Sequence, residues 1–510
     1  MVPIVSIPLV VKDFCSLFSE IFNHPEQEKH FEALVTGLSV SDNKTIAGIH
    51  QSLLNGPTYE GLHHFMTDSP WSIDGLRQKR FQYVKSWLLK ERGATSIAGA
   101  LGYEGAEGKG SKQRQLLGSD ARNNSAALMT VGKPEAIDKL MEKSVQVLKA
   151  PNQESKLPTV TALDATFIHH VGENIYGVYW FWDYAQRRYT RAQRVVLSTL
   201  ATPKKLIPLG WKLFHRGFLD EQKLYLDHVK PADDADEKEW EEYNSLVEKY
   251  EQNQKEHKTQ HYLAGELVDE CEKLGLPIDG YVCDAALAVP ELMDKIEATG
   301  KAWVSKLAKN RLVQTDKGGF EPIASFAHSL PKDVFKPVAV ETRHGEKRTY
   351  WCFSKCVVIY GWKKLRVVIS YDNEELEGEP IYLLTNKKEW VQPQKTVQFY
   401  MMRDPIEHQI RDGKQQLGLE DSQQRTEKGV QKHWELSFTA HTFLEVGLEV
   451  PILPGVPTVR LETIGQKCRV LEGALWHGFV NLIKQWVLEK KDTEELFQQI
   501  MTKRLNRLAA

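Results

Sequence analysis

Three acidic residues stand where a carboxylate is costly unless it is put to use. Asp164 lies inside an otherwise apolar, strand-like run (160–167), Asp284 ends the run that starts at Gly280, and Glu407 follows Pro405-Ile406. A charge in such a strand needs a partner, a hydrogen bond or a metal, and strand ends in α/β sheets are where sites are built. Around Glu407 the positions 403, 407, 411 and 414 step by 4, 4 and 3. On a helix this spacing predicts Arg403, Glu407, Arg411 and Lys414 on one face, with Ile406, Ile410 and Leu417 buried opposite. One acid among three cations suits a metal-bound carboxylate flanked by phosphate contacts. It equally suits a helix start, with Asp404 as N-cap, Pro405 at N1 and Glu407 as the N3 partner. Spacing alone leaves the two level.

The elements that must position these residues can be read from periodicity. Residues 1–92 read as helices: Phe14, Leu17, Phe18 and Ile21 share a face, and Phe31, Leu34 and Val35 continue the period. A short helix over 45–54, ending at Asn55-Gly56, and a second one opened by Pro57-Thr58 fit a helix-turn-helix and equally fit an ordinary bundle. Residues 93–155 form a Gly-rich, basic linker followed by a helix. Three strands over 160–167, 176–184 and 194–200, with short links, suggest an antiparallel meander. A helix bearing Leu263, Leu267, Cys271 and Leu274 follows, then a strand at 280–284, a helix at 290–298 and a strand at 303–307. That order predicts a mixed α/β sheet covered on both faces. Residues 310–397 read as a second β-rich unit, and helices follow from about 404 to the end.

Composition restricts the possibilities less than it first suggests. The 510 residues suggest about three domains, and 41% hydrophobic with 26% charged residues exclude a disordered or coiled-coil chain. The 66 Lys and Arg against 68 Asp and Glu give a net of −2, which on its face argues against a nucleic-acid partner. That balance is a cancellation. Residues 71–133 carry 11 basic and 5 acidic residues, and residues 231–251 carry 9 acidic and 2 basic ones. A basic stretch is what a phosphate-binding surface requires, although charge runs are more often solvated faces. No apolar run approaches membrane-spanning length, and the apolar opening residues lack the basic start of a secretory signal. Six scattered cysteines point to a reducing cytoplasm, and Cys352 and Cys356 read as buried thiols rather than zinc ligands.

Tyr400-x2-Arg403-x3-Glu407-x6-Lys414 resembles the Y-x2-R-x3-E-x6-K signature of bacterial insertion-sequence DDE transposases. The wider pattern is similar too. An Asp on the first strand is followed by His169, an aromatic second strand covers 177–183, an Asp follows a strand 120 positions later, and the Glu comes 123 positions after that. The resemblance spans about 155–435; it leaves the Gly-rich 93–130 stretch unexplained, and Pro405 departs from its signature helix. It implies an RNase H-like core over 156–308, interrupted by a β-rich insertion over 309–397 and completed by a helix over 398–435. A helical DNA-binding region (1–92) would precede the core and a helical C-terminal region (436–510) would follow. It further implies that Asp164, Asp284 and Glu407 are catalytic and hold two Mg²⁺ ions, with Mn²⁺ able to substitute. Tyr400, Arg403, Arg411 and Lys414 would contact DNA.

The implied activity is cleavage and strand transfer at transposon-end inverted repeats, with a DNA hairpin as one route and Trp351, Trp362 and Trp390 as platforms for an extruded base. The implied partners are double-stranded end and target DNA and a second copy of the chain in the synaptic complex, with Trp486, Leu488, Leu496 and Ile500 as a packing face. The protein would be cytoplasmic and nucleoid-associated. Two alternatives stand beside this reading: an RNase H-like nuclease without strand transfer, and a domesticated DNA-binding descendant. His169, His170, Asp183 and Asp279 rank behind the three acids, with Asp279 read as a turn residue.

Overall fold

The computed structural model describes residues 3–92, 157–172, 174–184, 186–448 and 461–509; the linker and helix expected over 93–155 lie outside them. Met1–Arg80 and Leu157–Ala510 form one compact unit, and Phe81–Lys156 a second. Of the second unit, residues 81–92 are described, and they complete a helix begun in the first.

The N-terminal stretch is helical: α1 (Leu9–Ser16), α2 (Pro25–Val40), α3 (Ile46–Ser52), α4 (Tyr59–Thr67) and α5 (Ile73–Glu91). Local chemistry sets the starts. Pro25 opens α2 at a position whose N–H has no helical partner, while the hydroxyls of Thr45 and Thr58 accept from the N–H groups of Gly48 and Gly61, each at 3.1 Å. Phe14, Phe18, Phe31 and Phe65 are buried where these helices meet.

The strands are β1 (Val160–His169), β2 (Tyr179–Asp183), β3 (Arg188–Ala201), β4 (Leu206–Phe214), β5 (Gly280–Cys283), β6 (Ala302–Lys306), β7 (Leu312–Gln314), β8 (Phe320–Pro322), β9 (Lys336–Glu341), β10 (Lys347–Val358), β11 (Lys364–Tyr371) and β12 (Ile381–Thr385). Ten of them form one sheet in the order β2-β3-β1-β5-β6-β12-β11-β10-β9, with β4 paired to β3. The sequence reading differs in three places. The expected meander is replaced by an arrangement in which β3 lies in the middle. It pairs antiparallel with β1 along one edge, and with β2 and then β4 along the other. Strand β4 was not anticipated, because Pro208 and Gly210 interrupt its apolar run. The strands of 309–397 are continuous with the core, since β12 pairs antiparallel with β6 through Leu384 and Ser305.

Strands β5 and β6 run parallel to β1, so the order β4-β3-β1-β5-β6 is mixed, as an RNase H-like core requires. Gly280 permits the close approach of β5 to β6: a Cβ there would fall 2.0 Å from the Ala302 carbonyl oxygen. Helices cover both faces. A Cβ on Gly210 would meet Leu267 of α8 (Gln260–Lys273), whereas the adjacent Trp211 packs edge-to-face on Trp434 of α13 (Glu427–Thr442), 5.1 Å between centroids. Successive strand residues point to opposite faces, so these helices lie on opposite sides. Between β4 and α8 come α6 (Leu219–Val229) and the acidic α7 (Glu237–Glu256), which buries none of its residues. The remaining helices are α9 (Pro290–Ala298), α10 (Ile323–Ser329), α11 (Pro393–Met401), α12 (Pro405–Gln416), α14 (Ile464–Leu488) and α15 (Thr493–Ala509). No described helix is long and apolar enough to cross a membrane.

Candidate active site

Asp164 sits in the middle of β1, its side chain buried except for a small fraction. Its neighbour on the parallel side is Asp284. The last paired residues of β1 and β5 are Leu163 and Cys283, and the two acids follow directly after them, one strand spacing apart. The Asp284 carboxylate is held by the backbone: its Oδ1 accepts from the N–H groups of Ala286 (3.1 Å) and Leu287 (3.2 Å) as the chain turns away from the sheet. Asp279, at the other end of β5, accepts from the Thr159 N–H at 2.7 Å and ties the starts of β1 and β5 together. That is the turn role expected of it.

The third acid comes from α12, laid across the sheet by its apolar side. Ile406, Ile410 and Leu417 are buried, as the spacing predicts, and Gln409 accepts a hydrogen bond from the Thr199 hydroxyl of β3 at 3.0 Å. Pro405 is the first helical residue and Asp404 makes no side-chain cap, so the capping alternative for Asp404 is not realised. Arg403 lies just before the helix. Its Nη2 donates to Asp164 Oδ2 at 2.9 Å and its Nη1 to Glu407 Oε1 at 2.8 Å. One guanidinium therefore bridges an acid of the sheet and an acid of the helix.

The electrostatics follow from this crowding. Burial pushes the Asp164 carboxyl up to about 6; the Arg403 guanidinium opposes that rise, and the nearby Asp284 and Glu407 add to it. An open cleft of about 420 Å³ runs from this point between α12 and the second half of β1, lined by Asp164, Thr166, His169, Glu407, Arg411 and Lys414 among others. Arg411 is exposed in it. Lys414 is mostly covered, donating to the Phe167 carbonyl oxygen and forming an ion pair with Glu420 at 3.1 Å.

The structure thus brings Asp164, Asp284, Arg403 and Glu407 together and puts Arg411 and Lys414 along one cleft. Tyr400, at the end of α11 beside Arg403, faces the hydrophobic core and not the cleft and is only 8% exposed; the four signature residues do not share a helix, because a turn separates Met401 from Pro405. Asp183 is buried and accepts from the Gln186 N–H, and His170 pairs with Gln193 at 2.8 Å. Two of the three tryptophans considered as base platforms have protein partners: Trp362 stacks on Trp303 at 5.7 Å and donates to Asp294, and Trp390 packs against Phe399. Glu420 was missed. It contacts both Lys414 and the His169 N–H, yet it follows the end of α12 where no periodicity marks it; the nearest signal is Gly418, whose positive φ of 69° ends the helix.

Among the described residues no group of three metal-ligating side chains is close enough to hold an ion, since Arg403 lies between Asp164 and Glu407. In kind, the donors fit a hard divalent cation: they are carboxylate oxygens, mutually repelling and partly buried, balanced here by an arginine.

Comparison with known proteins agrees with this topology. Residues 244–443, which include Asp284 and Glu407, match the family described as "Transposase DDE domain". A segment of 127 residues is 30% identical to the "Probable transposase for insertion sequence element IS701" of Microchaete diplosiphon, covering 24% of this chain and 32% of that protein. The chain spans about a third of the length of that relative. Residues 244–443 are thus similar to a transposase DDE domain, and part of the chain to an insertion-sequence transposase.

Proposed function

We infer that the protein is a metal-dependent DNA transposase that cuts the inverted-repeat ends of its element and joins them to target DNA, with Asp164, Asp284 and Glu407 as its catalytic acids. The observation that carries this is the convergence of two aspartates on adjacent strands with a helix-borne glutamate around one guanidinium, at the head of an open cleft lined by Arg411 and Lys414. The three carboxylates would hold two divalent cations, Mg²⁺ or Mn²⁺, once Arg403 withdraws. Bound there, the ions would supply charge neutralisation at the reacting phosphate and activation of the attacking oxygen. The chain's own residues do the rest. The backbone N–H groups of Ala286 and Leu287 orient Asp284, burial and β1 orient Asp164, and Arg403, Arg411 and Lys414 hold the DNA phosphates. Tyr400, buried behind Arg403, positions that arginine from the core instead of touching DNA itself.

The helices of residues 1–92 are the assigned end-binding region. Synapsis of two ends requires a second copy of the chain, and the exposed apolar side chains of α14, Trp476, Val480, Ile483 and Val487, are a surface suited to it. The test is cleavage of duplex carrying the element's terminal repeat, with strand polarity resolved, with and without Mg²⁺ and with a target duplex present. Asp164→Asn and Glu407→Gln should each reduce cleavage by more than about a hundredfold, corresponding to the several kcal/mol of metal-borne charge stabilisation lost. Cleavage without joining would identify a nuclease. Specific binding without cleavage would identify a DNA-binding descendant.

A further inference from the structure

Away from the acids, the β2–β3 hairpin carries an unusual surface. Trp180 and Trp182 of β2 stand directly opposite Arg191 and Tyr189 of β3. Trp180 is 56% exposed, Trp182 40% and Tyr189 64%. The inward residues of the same strands account for the hairpin's stability without them: Phe181 is buried and packs on Phe167 of β1 at 5.5 Å. The outward rings contact mainly each other and arginine. Trp182 meets Tyr189 edge-to-face at 5.3 Å, and the Arg191 guanidinium lies 5.8 Å from the Trp180 ring. Arg191 is also braced by the carbonyl oxygens of Val171 and Gly172.

Two further observations indicate what this face receives. First, arginine borders its exposed rings. Arg191 shares the face of Trp180 and Trp182, and Arg216, paired with Glu221, donates to the Trp180 carbonyl oxygen at 3.0 Å; Arg188 and Arg194 alternate to the Phe181 side, Arg194 over the Phe167 ring. Asp183, the acid on β2, is buried on the opposite side. Secondly, side chains alternate along strands. Asp164 is paired with Leu197, so Arg191 and Tyr189, six and eight residues along β3, fall on the face of the sheet that bears Asp164, as do Trp180 and Trp182. The distance along the strand is about 20–27 Å at ~3.3 Å per residue, or six to eight steps of DNA at ~3.4 Å. The hairpin therefore lies too far from the acids to contact the reacting phosphate.

We propose that the outer face of the β2–β3 hairpin binds an unpaired stretch of DNA strand, stacking bases on Trp180 and Trp182 while Arg191 and Arg216 hold its phosphates. Paired DNA presents phosphates and groove edges, its base faces being already stacked on one another; exposed indole faces among arginines suit bases freed from the duplex, and stacking of this kind tolerates any sequence. The inference rests on DNA being the substrate, and it adds that strand separation several nucleotides from the cut is stabilised by the protein.

The test is fluorescence anisotropy with a labelled twelve-nucleotide oligothymidine and with a blunt duplex of equal length, in EDTA so that no cleavage occurs. Trp180→Ala/Trp182→Ala should weaken oligothymidine binding by about tenfold or more and duplex binding by less than about twofold, whereas Trp180→Phe/Trp182→Phe should retain most of the affinity. Equal weakening on both ligands, or no weakening, overturns the proposal. So does a change of oligomeric state in the Ala variant with oligothymidine binding intact, which would make the face a protein interface. The transposase reading is separable: Asp164→Asn should bind oligothymidine as the wild type does, and binding to the hairpin by a protein that never cuts terminal-repeat duplex would defeat that reading alone.

Discussion

Arg403 stands where two carboxylates would otherwise repel each other, and it neutralises them as a bound cation would. A guanidinium and a divalent ion cannot both occupy that position, so an ion held there, as proposed, would compete with Arg403 for Asp164 and Glu407. Replacing Arg403 by Gln removes the competitor. Mn²⁺ affinity, measured by calorimetry with the metal alone, should then rise several-fold, while cleavage of end DNA falls through loss of a phosphate contact. A drop in Mn²⁺ affinity would mean that Arg403 organises the acids for the ion instead of standing in for it. Lys at this position would not substitute, because an ammonium cannot span two carboxylates with a planar fork.

At the scale of elements, the N-terminal helices are fastened to the catalytic fold by a buried ion cluster. Glu435 of α13 is fully buried and accepts from Arg77 Nε at 3.0 Å, Arg80 Nε at 2.9 Å and Trp211 Nε1 at 3.2 Å. Burial alone would raise its carboxyl, but the Arg80 and Arg77 guanidiniums hold it below its usual value. Arg80 also donates to the carbonyl oxygens of Pro208 and Leu209 in β4. Glu435→Gln leaves two buried guanidiniums without a counter-charge and should cost about 3–5 kcal/mol in urea unfolding. This cluster also shows where sequence reading reaches its limit. Arg77 and Arg80 belong to the stretch whose positive balance suggested a DNA surface, and they are internal structural charges; Lys79 is paired with Glu20. Charge counts carry no information about partners 355 residues away along the chain. Patterns that depend on near neighbours were legible: the Thr45 and Thr58 helix starts, the buried face of α12, the aspartate within β1 and the one that ends β5. Strand order was not, because β3 pairs with β1 across the inserted β2, and only long-range register decides that. The hairpin's arginines and tryptophans were visible as an aromatic strand, but exposure separates a platform from a core, and alternation alone does not say which face is covered.

At the scale of the whole molecule, α13 is buried along most of its length, and its polar residues make the fold sensitive to acid. Every residue from Lys432 to Thr442 is buried. His433 donates from Nε2 to the Gly418 carbonyl oxygen at 2.7 Å, and burial lowers its pKa to about 4. His441 has no hydrogen-bond partner at Nδ1; burial, together with the charges of Lys467 and Arg80, lowers it to about 3. Both folded values lie below the ordinary 6.5, so between that pH and about 4 the unfolded chain binds protons that the folded chain refuses. The histidines' contribution to stability is therefore complete above pH 6.5 and is lost as pH falls, by roughly 3 kcal/mol for His433 alone at ~1.4 kcal/mol per unit. Asp164 acts with the opposite sign. Its raised carboxyl takes up a proton in the folded chain from about pH 6 downward, before the unfolded one does, and it offsets part of the loss. Urea midpoints followed from pH 7.5 to 4.5 should fall with decreasing pH in the wild type. They should fall less steeply in His441→Leu and more steeply in Asp164→Asn. The comparison uses slopes, so any constant packing cost of a substitution drops out. A wild-type midpoint that holds level or rises on acidification would show that the carboxylates outweigh the buried histidines.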